Sequence, residues 1–324
     1  MTTLPDQNTL DFAQSVLGTH EAVERLHARA RDERAYTFRA LTAARQQALH
    51  LSGFDVARHR YIILSDTHKG NRRPGSDEFI PNEQVYCHAL THYLDNDYRL
   101  VLNGDIEEGW KAGYGDIIDA YRDTAFALER EFAAKGDDYY VRIFGNHDID
   151  WADPRFVKKY LDPFFGRPMR VHPGLVLGSR LFVVHGHQGD LCSDRLTWLS
   201  RRIIRHVWRP LQNLTSIHIN RAAANHFIRD NRDRFISAWG RINHLLVIAG
   251  HTHRALMHPF QPPKNEDDCG LRHYVNDGCC VHTDGMTAIE IDQGAIRLVR
   301  WRTNDGVGRS VFGEYDLGQM LARL

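Results

Sequence analysis

Tyr61-Ile62-Ile63-Leu64-Ser65-Asp66-Thr67-His68 is a four-residue apolar run that gives way at once to side chains able to bind metal. Four later segments repeat the pattern. Leu100-Val101-Leu102 runs into Asn103-Gly104-Asp105, and Tyr139 to Phe144 into Gly145-Asn146-His147-Asp148. Leu181 to Val184 leads to His185-Gly186-His187, and Leu245 to Ile248 to Gly250-His251-Thr252-His253. Short β-rich runs alternating with helical segments predict an α/β fold with a substantial sheet. Ligands in such sheets gather at the carboxyl ends of strands, so five endings of this kind can converge on one locus. Asp-x-His and His-x-His put alternate side chains on one side of an extended backbone, where both reach the same centre.

Taken singly the pieces say little: a lone Asp-x-His is almost uninformative, and Gly104-Asp105 is an ordinary turn. Their order, each after an apolar run, is what carries the argument. A donor set of carboxylate, amide and imidazole without thiolate suits Mn²⁺, Fe²⁺ or Zn²⁺.

The series Asp-x-His, Gly-Asp, Gly-Asn-His-Asp, His-Gly-His and Gly-His-Thr-His resembles the calcineurin-like metallophosphoesterase superfamily over roughly residues 60 to 302. The resemblance implies a sandwich of two mixed β-sheets flanked by helices, holding two divalent ions. It implies that one ion takes Asp66, His68 and His253, that the other takes Asn146, His185 and His251, and that Asp105 bridges them. Manganese, iron or zinc is expected, manganese first. Such a pair lowers the pKa of bound water from 15.7 towards about 7 and clamps attacking and leaving oxygens. His147 is expected to stabilise phosphoryl oxygens or protonate the leaving oxygen, and an imidazole can do either near neutral pH. Its orienting carboxylate would be Glu108, with Asp148 in competition. His185 is preferred as a ligand because it follows the apolar run directly; His187 is left open as an outer donor, an alternative ligand or an exposed neighbour.

Outside these motifs, residues 8 to about 51 have the composition and spacing of helix, closed by Ser52-Gly53, and define an N-terminal extension over 1–58. The main domain is placed at 59–303, with a tail at 304–324. Thr287 to Ile291 and Ala295 to Trp301 flank Asp292-Gln293-Gly294, a hairpin signal. Residues 259–271 read as a solvated loop. Lys+Arg and Asp+Glu balance at 41 each, so net charge selects no partner. The five scattered cysteines fit reduced thiols, with Cys279 and Cys280 as small buried hydrophobes. Without a signal-like start or a membrane-length apolar run, a cytoplasmic location is expected.

Residues 190–243 form a helical insertion with ten arginines, no lysine and four aspartates. Arginine favours planar recognition of phosphate, so Arg195, Arg201, Arg202 and Arg205 are candidate contacts for an anionic phosphorylated substrate. The basic amphipathic stretch 195–211 also suits a peripheral contact with an inner membrane surface. Nucleic acid stays open as a less favoured substrate, since the sequence outside the insertion offers no evident aromatic-basic groove. The insertion, with Tyr274-Val275-Asn276-Asp277-Gly278, is similar to the UDP-2,3-diacylglucosamine pyrophosphatases. That branch has Arg where His147 stands and Pro where Arg254 stands. A non-catalytic scaffold of the same fold is the alternative from another class.

Overall fold

Tyr61 and Ile63 pack into one hydrophobic cluster and Ile62 and Leu64 into another, and all four are buried. A strand apolar on both faces belongs inside a layered sheet, which explains why this run lacks the alternation of a half-exposed strand. The computed structural model describes residues 20–189, 226–257, 272–283, 285–304 and 306–324.

In chain order, α1 (His20–Gln46) precedes β1 (Leu49–Leu51) and β2 (Tyr61–Leu64). Then come α2 (Glu83–Asp95), β3 (Arg99–Asn103), α3 (Tyr114–Ala120), α4 (Ala125–Lys135), β4 (Tyr140–Ile143) and α5 (Pro154–Phe165). Three short strands follow, β5 (Val171–His172), β6 (Leu175–Leu177) and β7 (Leu181–Val183). After α6 (His226–Ile242) come β8 (Leu246–Ala249), β9 (Ala255–Met257), β10 (Tyr274–Asp277) and β11 (Met286–Asp292). The chain closes with β12 (Ala295–Asn304), β13 (Gly306–Asp316) and α7 (Leu317–Ala322).

These strands form two mixed sheets, ordered β1-β6-β7-β8-β10-β9 and β13-β12-β11-β2-β3-β4-β5. Between them lie Tyr61, Ile63, Val101 and Val141 of the larger sheet and Leu177, Leu181, Val183 and Ile248 of the smaller. Helices α2, α4 and α5 cover the outer face of the larger sheet through Tyr86, Leu90, Phe126, Phe132 and Leu161. Helices α1 and α6 cover the smaller sheet, with Leu41, Ile236 and Trp239 against Val176, Phe182 and Val247. The result is the four-layer α/β arrangement expected from the sequence. Strands β2, β3 and β4 are parallel, with Leu64 level with Leu102 and Asn103 level with Ile143. Strands β7 and β8 are parallel as well, with Val183 level with Ile248. All five carboxyl ends therefore open toward one region.

Two expectations need correction. Leu49–Leu51 is a strand paired in parallel with β6; its two leucines turn toward the inter-sheet core, and three residues are too few for helical and strand periods to be told apart. The stretch 304–324, expected as a tail, instead supplies edge strand β13 and helix α7, whose Leu317 and Met320 are buried. Much of β13 is exposed, so its sequence reads as polar, although Asp305-Gly306 is itself a hairpin signal. The expected β11–β12 hairpin forms in register from Met286 opposite Trp301 to Asp292 opposite Ala295. Of the insertion, α6 is described and helical. Arg195, Arg201, Arg202, Arg205, the 195–211 stretch and the 259–271 loop lie outside the described residues. Among the described residues no helix is long and apolar enough to cross a membrane.

Candidate metal centre

Each ligand motif occupies the first few residues past a parallel strand, and the backbone there continues the ladder in irregular form. Asp66 N donates to Gly104 O at 3.0 Å, His68 N to Asp105 O at 3.0 Å, and Gly250 N to His185 O at 2.9 Å. The backbone is held in an uncommon shape: Asp66, His68, Asp105, His251 and His253 all have φ between 47° and 65°. Left-handed backbone at non-glycine residues costs about 1–3 kcal/mol each and gathers at functional sites. Gly104, at φ +86°, is a glycine of necessity, because a Cβ there would lie 2.6 Å from the His185 ring.

Among the described residues three groups of candidate ligand atoms come together, one of them being His68 with Glu108 and His147. Asp66, His68 and His253 form a second group, and Asp105, His185 and His251 a third, with the ligand atoms in each within 4.8 Å of one another. Asp66 Oδ1 is 3.1 Å from His253 Nε2 and 3.8 Å from His68 Nε2. Asp105 Oδ2 lies between the second and third groups, 3.1 Å from His185 Nε2 and 3.9 Å from His68 Nε2. Asn146 belongs to the same loop cluster: its neighbour His147 donates its backbone N–H to Asp105 Oδ1 at 2.8 Å.

Buried polar atoms are normally hydrogen-bonded, and exceptions need a reason. Among the described residues Asp66 Oδ1, His68 Nε2, Asn146 Oδ1 and His185 Nε2 are buried without such a partner. The opposite edges of Asp66, His68 and His185 are satisfied. Asp66 Oδ2 accepts from His251 N at 2.9 Å and from the Ser65 hydroxyl, and His185 Nδ1 meets Asn103 O at 2.8 Å. These three side chains are thus anchored on one edge and open on the edge that faces their fellow candidates, which fits a divalent cation. Burial by itself would raise the Asp66 carboxyl, but the charges of His253 and His185 hold it well below the usual range. Asp105 behaves alike: burial opposes its charge, and His185 and His147 outweigh burial.

Glu108 joins the centre to His147. Its carboxylate meets His147 Nδ1 at 2.9 Å and His68 Nδ1 at 3.2 Å. A carboxylate on the far nitrogen of a ligand histidine fixes its tautomer and its aim. Asp148, the competing carboxylate, is turned away and accepts from the backbone N–H groups of Gly145 at 2.6 Å and Ile106 at 2.8 Å. It shapes the loops and does not touch the imidazole. His147 also stacks on Trp110, whose indole N–H donates to Asn146 O at 2.8 Å. His187 is buried, which removes the exposed alternative, and its Nδ1 has no partner among the described residues.

Sequence reasoning missed the buried charges behind the ligands. Lys69 pairs with Glu129, and Arg142 places one nitrogen 2.6 Å from both oxygens of Glu107 and another 3.3 Å from Glu129. Tyr140 and Trp151 donate at 2.8 Å to Glu129 and Glu107 respectively, and Tyr86 donates to Glu129 at 2.9 Å. Lys69 follows candidate ligand His68 and Glu107 precedes Glu108, so the network pins both loops from beneath. Ser65 and Asn103 likewise donate to buried Asp277 at 2.7 and 3.2 Å.

The description calcineurin-like phosphoesterase belongs to a family model that matches residues 59–255, more than half of the chain and every candidate ligand. No curated protein matches the chain. The chain belongs to the calcineurin-like phosphoesterase family, whose members are metal-dependent phosphoric ester hydrolases.

Proposed function

We propose that the protein hydrolyses an anionic phosphate ester or pyrophosphate with two divalent ions, manganese first among them. Asp66, His68 and His253 would hold one, Asn146, His185 and His251 the other, with Asp105 shared. The observation that carries this reading is the position of Asp105 Oδ2, within 3.9 Å of an imidazole from each group. When bound, two such ions lower the pKa of water and neutralise phosphoryl charge. The chain's own contribution is to aim. Asn146 adds an oxygen without adding negative charge, so the anionic substrate meets less repulsion. Glu108 holds His147 by Nδ1, leaving Nε2 as the edge that donates to a phosphoryl or leaving oxygen.

Free Cys87, Cys279 and Cys280 support a cytoplasmic setting. Metal analysis combined with turnover of p-nitrophenyl phosphate, bis-p-nitrophenyl phosphate and a nucleoside diphosphate ester tests the whole reading. Two equivalents of metal and Mn²⁺-dependent turnover are expected. Turnover of the diester or pyrophosphate alone would favour the pyrophosphatase-like branch. A chain that binds no metal and turns over none of the three would be a scaffold, and the proposal would be wrong.

A further inference from the structure

Arg232 and Asp233 are neighbours on α6, and they grip different ligand loops. The Arg232 guanidinium donates to His187 O at 3.1 Å and Gln188 O at 3.3 Å, just past ligand His185. It also donates to Thr37 Oγ1 at 3.2 Å, on the N-terminal helix α1. The fit there is close. Gly189, at φ +87°, lies against Thr37 so tightly that a Cβ would come within 2.3 Å of the Thr37 Cα.

Asp233 works on the fifth motif. Its Oδ1 accepts from the hydroxyl of Thr252, the residue between His251 and His253, at 3.3 Å, and from Tyr274 at 2.6 Å. Its other oxygen is 3.3 Å from the guanidinium of Arg254. Asn276 closes the loop from the sheet side, donating to Gly250 O at 2.9 Å and to Thr252 Oγ1 at 3.0 Å. Thr37, Arg232, Asp233 and Thr252 are all buried, so these bonds face little competition from water.

We propose that Thr37, Arg232 and Asp233 are positioning residues that set the two loops carrying His185, His251 and His253. Helices α1 and α6 are then parts of the metal centre as well as a cover for the smaller sheet. This gives the N-terminal helix, which precedes the family-matched residues, a role in function. Partners that aim metal ligands typically govern 10- to 100-fold of metal affinity. The inference rests on the metal-centre reading above.

The test is calorimetric titration of Mn²⁺ into the metal-stripped full chain. Asp233→Asn and Arg232→Lys are expected to weaken Mn²⁺ binding by about 10- to 100-fold, and Thr37→Val to weaken it in the same direction. Lysine keeps the charge but replaces the planar two-nitrogen fork with a single nitrogen. Ile236→Val, a loss of one core methylene on the same helix, is expected to lower Tm while leaving Mn²⁺ affinity unchanged. If Ile236→Val costs as much affinity as the others at equal loss of Tm, the role is merely structural and the proposal falls. Unchanged binding in all three polar variants beside a binding wild type overturns this inference alone. A wild type that takes up no Mn²⁺ overturns the metal centre with it. Should Asp233→Asn fail to fold, Thr37→Val and Arg232→Lys still decide.

Discussion

Trp110 lies face to face with His147, ring centroids 4.1 Å apart and planes 15° from parallel. His68 meets the same imidazole edge-on at 4.6 Å, and Glu108 takes its Nδ1. The imidazole is therefore fixed in plane and tilt, with Nδ1 committed to the Glu108 carboxylate.

Trp110→Ala should free that ring. Aromatic pairs contribute about 0.5–1.5 kcal/mol beyond their area, so a loss in kcat of up to about tenfold is expected. If His147 protonates the leaving oxygen, the loss should be larger for an alkyl or phenyl ester than for a p-nitrophenyl ester, which leaves unaided. Equal losses across the series would assign Trp110 to packing.

Glu108→Gln removes the carboxylate that meets the Nδ1 atoms of both His68 and His147. A neutral amide still bonds one imidazole but stabilises neither as charge develops. Metal affinity should fall by about 10- to 100-fold, and kcat should fall further at saturating metal because His147 is loosened too. Titration calorimetry and steady-state rates, measured on the same preparation, separate the two effects.

Asp105→Asn strikes the oxygen that lies between the two ligand groups. Its cost in turnover should exceed the roughly 100-fold assigned to an outer partner, with loss of at least one equivalent of metal by elemental analysis. A variant with full metal content and near-normal rate would remove Asp105 from the shared position.

Arg142→Met leaves Glu107 and Glu129 buried with less compensation. Breaking a buried pair from one side costs about 3–5 kcal/mol, and urea denaturation should show that loss as a lower midpoint with an unchanged slope. Because the network lies beneath the ligand loops, Mn²⁺ affinity should fall with it. A stability change within about 0.5 kcal/mol, the range typical of exposed positions, would show that the cluster is relaxed or hydrated.

The residues that gather here were legible as candidates because their types are unusual and each motif ends an apolar run. Asp66, His68, Asp105, Asn146, His185, His251 and His253 could be named before any contact was known. The link between Glu108 and His147 came from the family resemblance, which implies a carboxylate three positions after Asp105. The second contact of Glu108, to His68, was not legible, because both side chains bend back from loops 40 residues apart. Arg142 occurs within a strand of otherwise apolar character, where a lone charge reads as a solvent-facing position. Only the fold shows it wholly buried against Glu107. The left-handed backbone of the ligand loops leaves no compositional trace, because aspartate and histidine are common in every kind of loop. Edge strand β13 was missed for a related reason: a strand covered on one side has half the apolar signal of Tyr61–Leu64.

Five of the metal-binding candidates hold a chain geometry native to glycine. Exchange to glycine at His68, His251 or His253 would relax the polypeptide and erase a ligand in the same step. Selection for a sturdier molecule and selection for a working hydrolase therefore pull these codons apart. A lineage released from catalytic duty would be expected to lose its histidines there first, while the layered interior stayed intact.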